Sequence, residues 1–189
     1  SFGCSASRAY IDEIMEPDHV YGYSHHLYAD GDYNNPDSFI RAMQSFALKY
    51  GDKPVFQTEY SCLCDVTPFD VALNLACHMH NSLVHEGACS YFYWSLFWGN
   101  DGGLVTLDNP WQSNPGYRIN HIYYAFKQYS AFTDPDWRRV EASTDSTGLR
   151  ISAFKSDDDT ELSLAIINVS DIDIDLTLSL GGFAPENSQ

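Results

Sequence analysis

The sequence has little positive charge and no long apolar run. Only 10 of its 189 residues are Lys or Arg, against 26 Asp or Glu, which gives a formal net charge of −16 at pH 7. Such a chain repels phosphate backbones and anionic lipid surfaces, so neither a nucleic-acid partner nor a membrane partner is expected. No stretch reaches the roughly 20 apolar residues that a transmembrane helix needs. A neutral partner is the better expectation.

Cysteine is also sparse. The five cysteines are too scattered to predict a dense disulfide framework, although one or two bridges are compatible with them. The pair in Cys62-Leu63-Cys64 has no second pair at zinc-finger spacing, and His78 and His80, two residues apart on a predicted helix, point to different sides. No metal is expected. No Gly-x-Gly-x-x-Gly or Walker-type loop is present, and no cofactor is expected.

Aromatic residues, in contrast, are abundant: 13 Tyr, 11 Phe and 4 Trp make up 15% of the chain. Aromatic rings pack well in cores, and exposed rings stack on the flat faces of sugars or of bases. Because the strong negative charge disfavours nucleic acid, a carbohydrate partner is favoured over a base-containing one.

The first part of the sequence alternates between strands and helices. A short helix is predicted over residues 6–16, and three strand–helix units follow it. The predicted strands are 19–28, 54–60 and 88–97, and the predicted helices are 37–50, 68–86 and 117–132. This order indicates parallel βα units, in an open sheet or a (β/α)₈ barrel. The barrel is favoured because polar and aromatic residues collect at the carboxyl ends of the strands, where barrel enzymes place their active sites.

The pattern changes after residue 135. Four short alternating runs, over residues 138–142, 149–154, 161–168 and 171–180, are typical of antiparallel strands with one solvated face. The predicted class is therefore α/β, with residues 1–135 forming part of a barrel and residues 136–189 forming part of an antiparallel β-sandwich.

Glu59 is the first candidate for chemistry. It ends the predicted strand Val55-Phe56-Gln57-Thr58, and a carboxylate in such a place needs hydrogen-bonding partners because its buried charge is otherwise costly. One interpretation is a nucleophilic carboxylate. The other is a structural acid that caps the next loop or pairs with a lysine, and position alone leaves both open.

Two neighbouring strand ends supply candidate partners for Glu59. His26 and Tyr28 could donate hydrogen bonds that keep a carboxylate ionised and oriented, although a histidine satisfied within the core is the plain alternative. Trp94 is the candidate platform under a sugar ring, while simple packing explains most of its aromatic run. Tyr60 and Trp98 are further candidate substrate contacts.

Several motifs resemble glycoside hydrolase family 30, a family of retaining enzymes with a (β/α)₈ barrel. They are His25-His26-Leu27-Tyr28, Lys53-Pro54-Val55-Phe56-Gln57-Thr58-Glu59-Tyr60-Ser61, Tyr93-Trp94-Ser95-Leu96 and Tyr123-Tyr124-Ala125-Phe126-Lys127-Gln128-Tyr129-Ser130. The resemblance implies that Glu59 is the nucleophile at the end of barrel strand seven. It places His26 and Tyr28 on strand six and Trp94 on strand eight, so the chain would contain strands 6–8 and part of the side β-sandwich.

The same resemblance implies that part of the enzyme is missing from this sequence. The family's general acid/base is a Glu after strand four, usually preceded by Asn, and the only glutamates before Glu59 are Glu13 and Glu16, on the first helix. Retaining hydrolysis needs two carboxyl groups. The chain is therefore expected to be a fragment whose partner is the N-terminal half of the same enzyme.

The expected enzyme is a secreted endo-β-1,4-xylanase that cleaves xylan or glucuronoxylan. Secretion is compatible with the sequon Asn168-Val169-Ser170, and the segment Leu96-Phe97-Trp98-Gly99 offers no cation for a glucuronic acid branch. A β-1,6-glucanase or a glucosylceramidase-like β-glycosidase is the alternative activity. A non-catalytic carbohydrate-binding protein and a purely structural or interaction domain are the alternatives from other classes.

Overall fold

The structure is a computed structural model, and it describes residues 3–62, 67–98 and 102–183. The chain divides into two compact units, Ser1–Gln128 and Tyr129–Gln189. The first unit is mixed α/β, and the second is built on an antiparallel sheet. Within the described residues, no helix is both long and apolar enough to span a bilayer.

The first unit contains a parallel sheet of three short strands, in the order β1–β2–β3. These are β1 (Tyr23–His25), β2 (Val55–Tyr60) and β3 (Ser90–Tyr93), with β2 in the centre. The prediction of parallel βα units is thus confirmed for this sheet. The strands are shorter than predicted, above all β1, because a 3₁₀ turn over Pro17–His19 precedes it and left-handed backbone at Leu27 follows it.

Helices alternate with these strands. The first is α1 (Cys4–Asp12), and α2 (Ile40–Tyr50) follows a 3₁₀ turn over Pro36–Phe39. The third, α3 (Pro68–Asn81), starts at the N-cap Thr67, whose hydroxyl accepts from the backbone N–H of Asp70, and passes into a π-helical turn over Ser82–Glu86. Gly87 then ends the helical segment at φ 73°, a left-handed conformation that glycine adopts without steric cost.

Apolar side chains from the helices cover one face of the parallel sheet. Met43 and Phe46 of α2 and Leu75 of α3 are fully buried, as is Phe39 before α2. The spacing of Met43 and Phe46 is the helical period that predicted α2 from the sequence. Burying this stripe stabilises the unit through the hydrophobic effect, at about 1.5–3 kcal/mol for each large side chain.

A small second sheet in the first unit was not predicted. It consists of β4 (Phe97–Trp98), β5 (Val105–Asp108) and β6 (Gly116–Ile119), with β5 and β6 antiparallel. As a result, α4 (His121–Ser130) starts four residues later than the predicted 117. The apolar residues Tyr117 and Ile119 extend the helical pattern backwards in the sequence, but they pair with β5 instead.

The second unit contains the antiparallel strands β7 (Arg138–Val140), β8 (Leu149–Lys155) and β9 (Leu162–Asn168). Three of the four predicted runs are confirmed as strands. The prediction of a strand over residues 171–180 is wrong, since this segment forms no ladder with the strands that the structure describes. Its alternating pattern is real, but Ile172 is 70% exposed, and alternation without a hydrogen-bonded neighbour does not make a strand.

Candidate active site

A β-bulge in β2 determines where Glu59 points. Gln57 lies opposite Tyr91 and Tyr60 lies opposite Tyr93, so β2 has two residues where β3 has only Phe92. Simple alternation would place Glu59 on the same buried face as Gln57. The extra residue shifts the alternation by one, as bulges beside active sites do. The carboxylate is therefore turned out of the core, and its side chain is 26% exposed.

The same bulge turns Tyr60 inward. Tyr60 is 1% exposed, and its ring stacks on the ring of His78 with centroids 3.7 Å apart and planes within 11°. A ring in this position cannot serve as a platform for a sugar. The prediction that Tyr60 contacts substrate is therefore corrected: the residue belongs to the core behind Glu59, because the bulge reverses the face on which it lies.

His26 and Tyr28 both reach Glu59 from the segment that follows β1. The Nδ1 atom of His26 lies 3.6 Å from Oε2 of Glu59, and among the described residues it makes no hydrogen bond. Between the two residues, Leu27 is fully buried and has φ 62°, a conformation that a leucine rarely adopts. Such strained backbone persists only where the surrounding structure holds it, and it is frequent at active sites.

The hydroxyl group of Tyr28 is affected by Glu59. Burial raises the pKa of Tyr28, a hydrogen bond with Ser61 lowers it by a smaller amount, and the negative charge of Glu59 and a hydrogen bond to that carboxylate raise it further. The hydroxyl therefore keeps its proton and acts as a donor toward the carboxylate. A donor of this kind can hold the carboxylate of Glu59 in one orientation, which a nucleophile requires.

Trp94 lies on the other side of Glu59, after β3. Its backbone N–H donates to the carbonyl of Tyr60 at 2.9 Å, and the peptide between Trp94 and Ser95 is cis. The indole is 49% exposed, and its ring centroid lies 6.4 Å from that of Trp98, which is 45% exposed. The two rings, at 61° to each other, form an apolar surface of the kind that stacks on sugar rings.

A separate buried cluster in the first unit brings together a thiol, an imidazole and a carboxylate. Ligand atoms of Cys4, His25 and Glu86 lie within 4.8 Å of one another, and all three residues are buried. However, Nε2 of His25 and Oε1 of Glu86 are only 2.5 Å apart, less than the roughly 3.3 Å between two ligands on one tetrahedral zinc ion. As arranged, His25 and Glu86 form a hydrogen-bonded pair, and Ser82 also donates to Glu86 at 3.1 Å.

The structure therefore brings Glu59, His26 and Tyr28 together, and it joins the backbone of Trp94 to the residues that follow Glu59. The sequence reasoning missed the bulge, the left-handed Leu27 and the contacts of Ser61. The last of these had a signal in the sequence, a small hydroxyl residue two positions after the strand-end acid. Leu63, Cys64 and Gly99, which belong to sequence motifs discussed above, lie outside the described residues.

No protein-family model matches the chain, and no curated protein matches its sequence. Solved structures do match its fold. A conserved exported protein from Bacteroides fragilis has a TM-score of 0.68 and 16% identity, over 85% of this chain and 38% of that one. The catalytic domain of GH30 xylanase C from Talaromyces cellulolyticus has a TM-score of 0.60 and 21% identity, over 84% and 35% of the two chains. An endo-β1,6-glucanase has a TM-score of 0.61 and 15% identity, over 82% and 35%.

The chain has a glycoside hydrolase-like fold. At these identities the likeness concerns the fold alone, and the chain spans little more than a third of the length of each of these structures. The prediction of a mixed α/β, glycosidase-like domain is confirmed to that extent. Family membership, substrate and the role of each residue remain proposals.

Proposed function

We propose that this chain carries the nucleophile of a secreted retaining β-glycoside hydrolase of family 30 type, with Glu59 as that nucleophile. The observation that supports this most is the position of Glu59 at the carboxyl end of the central parallel strand, where the bulge turns it outward. Nδ1 of His26 lies 3.6 Å from its carboxylate, and the Tyr28 hydroxyl lies beside it. A structural acid would instead be expected to have a permanent lysine or arginine partner or a buried location.

The proposed reaction has two steps. In the first, an oxygen of Glu59 attacks the anomeric carbon, the bond from that carbon to the leaving oxygen breaks, and a proton donor protonates the leaving group. His26 and Tyr28 keep Glu59 ionised and oriented, while Trp94 and Trp98 offer rings to the sugar. In the second step, water hydrolyses the glycosyl ester of Glu59, and the proton donor now acts as the base.

The proton donor is proposed to lie outside residues 1–189, in an N-terminal half of the same enzyme. Glu13 and Glu16, the only glutamates that precede Glu59, are both exposed, and Glu16 pairs with His19 at 2.8 Å. The sheet supports this proposal too. Among the described strands, β1 and β3 each pair only with β2, so each has an edge available for a further strand.

The proposed substrate is xylan, cleaved as an endo-β-1,4-xylanase. The likeness to a xylanase catalytic domain supports it, and the nearly equal likeness to an endo-β1,6-glucanase keeps a β-1,6-glucanase or another β-glycosidase as the alternative. Secretion is proposed with it, since one similar structure is described as an exported protein.

A mechanism-based label tests the nucleophile without depending on the missing proton donor. In 2,4-dinitrophenyl 2-deoxy-2-fluoro-β-xylobioside, the dinitrophenolate leaves with the bonding electrons unprotonated, and the fluorine slows hydrolysis of the glycosyl ester. We expect the protein, as it is naturally made, to gain one glycosyl group on the peptide that contains Glu59, measured by mass spectrometry after digestion. The gluco-configured reagent, run in parallel, separates the two substrate classes.

The substitution Glu59→Gln is the test, and Glu141→Gln, at an exposed glutamate, is its control. Glu59→Gln should abolish the adduct, because an amide is a poor nucleophile, whereas Glu141→Gln should react like the unchanged protein. Binding of oligosaccharide without any adduct would instead support the non-catalytic carbohydrate-binding protein, for which the exposed Trp94 and Trp98 rings provide a surface.

A further inference from the structure

Ser61 is a nearly buried hydroxyl that joins the three strand ends of the candidate active site. It directly follows β2 and is 8% exposed. The Tyr28 hydroxyl donates to Oγ of Ser61 at 3.5 Å, and the Ser61 hydroxyl in turn donates to the backbone carbonyl of Trp94. One side chain thus connects the segment after β1 with the segment after β3, beside Glu59.

The backbone N–H and the backbone carbonyl of Trp94 are both hydrogen-bonded to the two residues that directly follow Glu59. Its N–H donates to the carbonyl of Tyr60 at 2.9 Å, and its carbonyl accepts from Ser61. The backbone from which the exposed indole extends is therefore attached to the strand that carries the carboxylate. Removal of the Ser61 hydroxyl leaves the carbonyl contact unmade, and the Trp94 peptide is then held from one side only.

Tyr28 has a single hydroxyl proton and two acceptors for it. One is the carboxylate of Glu59, and the other is Oγ of Ser61, whose own proton is used toward Trp94. Hydrogen bonds to an ionised acceptor are stronger than neutral ones, so Glu59 competes with Ser61 for this proton while its carboxylate is charged. When Glu59 is esterified by a sugar it loses its charge, and Ser61 remains as the acceptor.

We infer that Ser61 is a positioning residue, which holds the Trp94 platform against the end of β2 and supplies the second acceptor for the Tyr28 hydroxyl. This inference rests on the proposed function of Glu59, because it concerns the attack of Glu59 on a sugar. It assigns to Ser61 no contact with the substrate.

The test measures the rate constant for labelling of Glu59 by the 2-fluoro-xylobioside, together with the affinity for unreactive xylo-oligosaccharide. We expect Ser61→Ala to lower the second-order labelling rate constant about tenfold, which is the effect of one lost hydrogen bond. We also expect it to weaken oligosaccharide binding, because the Trp94 platform is held less firmly against the end of β2. Ser61→Thr, which keeps the hydroxyl, should recover most of both effects.

Ser24→Ala, at an exposed serine on β1, is the matched control and should change neither quantity. Circular dichroism and thermal unfolding of each variant separate a local effect from loss of the fold. Labelling of a folded Ser61→Ala variant at an unchanged rate, with unchanged affinity for oligosaccharide, would overturn the inference, as would a Ser61→Thr variant no better than Ser61→Ala. If the unchanged protein gains no label on Glu59, the proposed function itself fails, whatever Ser61 does.

Discussion

His78 gives a pH dependence to the stability of the first unit. It is fully buried on α3, between the rings of Tyr60 and Phe39, and its Nδ1 atom lies 2.8 Å from the hydroxyl oxygen of Tyr91. Burial, and to a smaller extent the nearby His25, lower the pKa of His78 from 6.5 to about 3. The folded protein therefore carries a neutral His78 at a pH where the unfolded chain carries a charged one.

The sign and the size of the effect follow from this difference. Between pH 6.5 and pH 3 the unfolded chain binds one more proton at this residue, so stability falls as the pH falls. Each pH unit well below 6.5 costs about 1.4 kcal/mol, so from pH 7.5 to pH 5 the contribution is about 2 kcal/mol. No correction for solvent screening applies because the imidazole is buried. With a urea slope near 2 kcal/mol per M, the unfolding midpoint should fall by about 1 M.

The assay is urea unfolding at pH 7.5 and at pH 5, monitored by circular dichroism. It compares the unchanged protein with His78→Phe. Phenylalanine keeps the stacking on Tyr60 but has no group to protonate. The variant should be less stable at pH 7.5 by about 1–3 kcal/mol, since Tyr91 loses its partner. The difference between the two proteins should then shrink by about 2 kcal/mol at pH 5. A difference that stays constant with pH would refute the reasoning, and His121→Gln, at an exposed histidine, is the control.

Two further substitutions test the fold around the candidate site. Tyr60→Ala should lower the free energy of unfolding by about 3–5 kcal/mol, as truncation of a buried aromatic ring does. Tyr60→Phe should leave the affinity for sugar unchanged. A Tyr60→Ala protein that keeps its stability and loses only its affinity for sugar would restore the substrate-contact role. Gly87→Ala should cost about 1 kcal/mol in thermal or urea unfolding. The cost comes from the left-handed φ of 73° alone, since nothing lies within 4 Å of an added Cβ. Gly181→Ala, at a glycine that is equally open but not left-handed, is the control. Equal losses of stability at the two positions would contradict this account.

The sequence was informative where a single period dominated. The helical spacing of Met43 and Phe46 predicted α2, and the apolar run before Glu59 predicted β2 within one residue. It was uninformative where two patterns overlap. Tyr117 and Ile119 fit both a helix and a strand, and pairing with β5 decides for the strand.

The candidate site shows the same division. The clustering of Glu59, His26 and Tyr28 follows from the rule that parallel strands end at one edge of a sheet, and the sequence therefore predicted it. The orientation of Glu59 and Tyr60 did not follow. A period of two assigns both residues to the wrong faces, and only the pairing of β2 with β3 reveals the extra residue that reverses them.

The bulge in β2 makes the difference in length between β2 and β3 as important as the chemistry of β2. Deletion of Thr58 would remove the extra residue, yet Glu59 would then lie opposite Phe92 and Tyr60 opposite Tyr93, so both side chains would keep their faces. Insertion of one residue beside Phe92 in β3 would also restore regular alternation, but it would turn the acid toward the core and the ring toward the cleft. The site is thus tolerant of a shorter β2 and vulnerable to a longer β3, although neither change touches the acid or the ring.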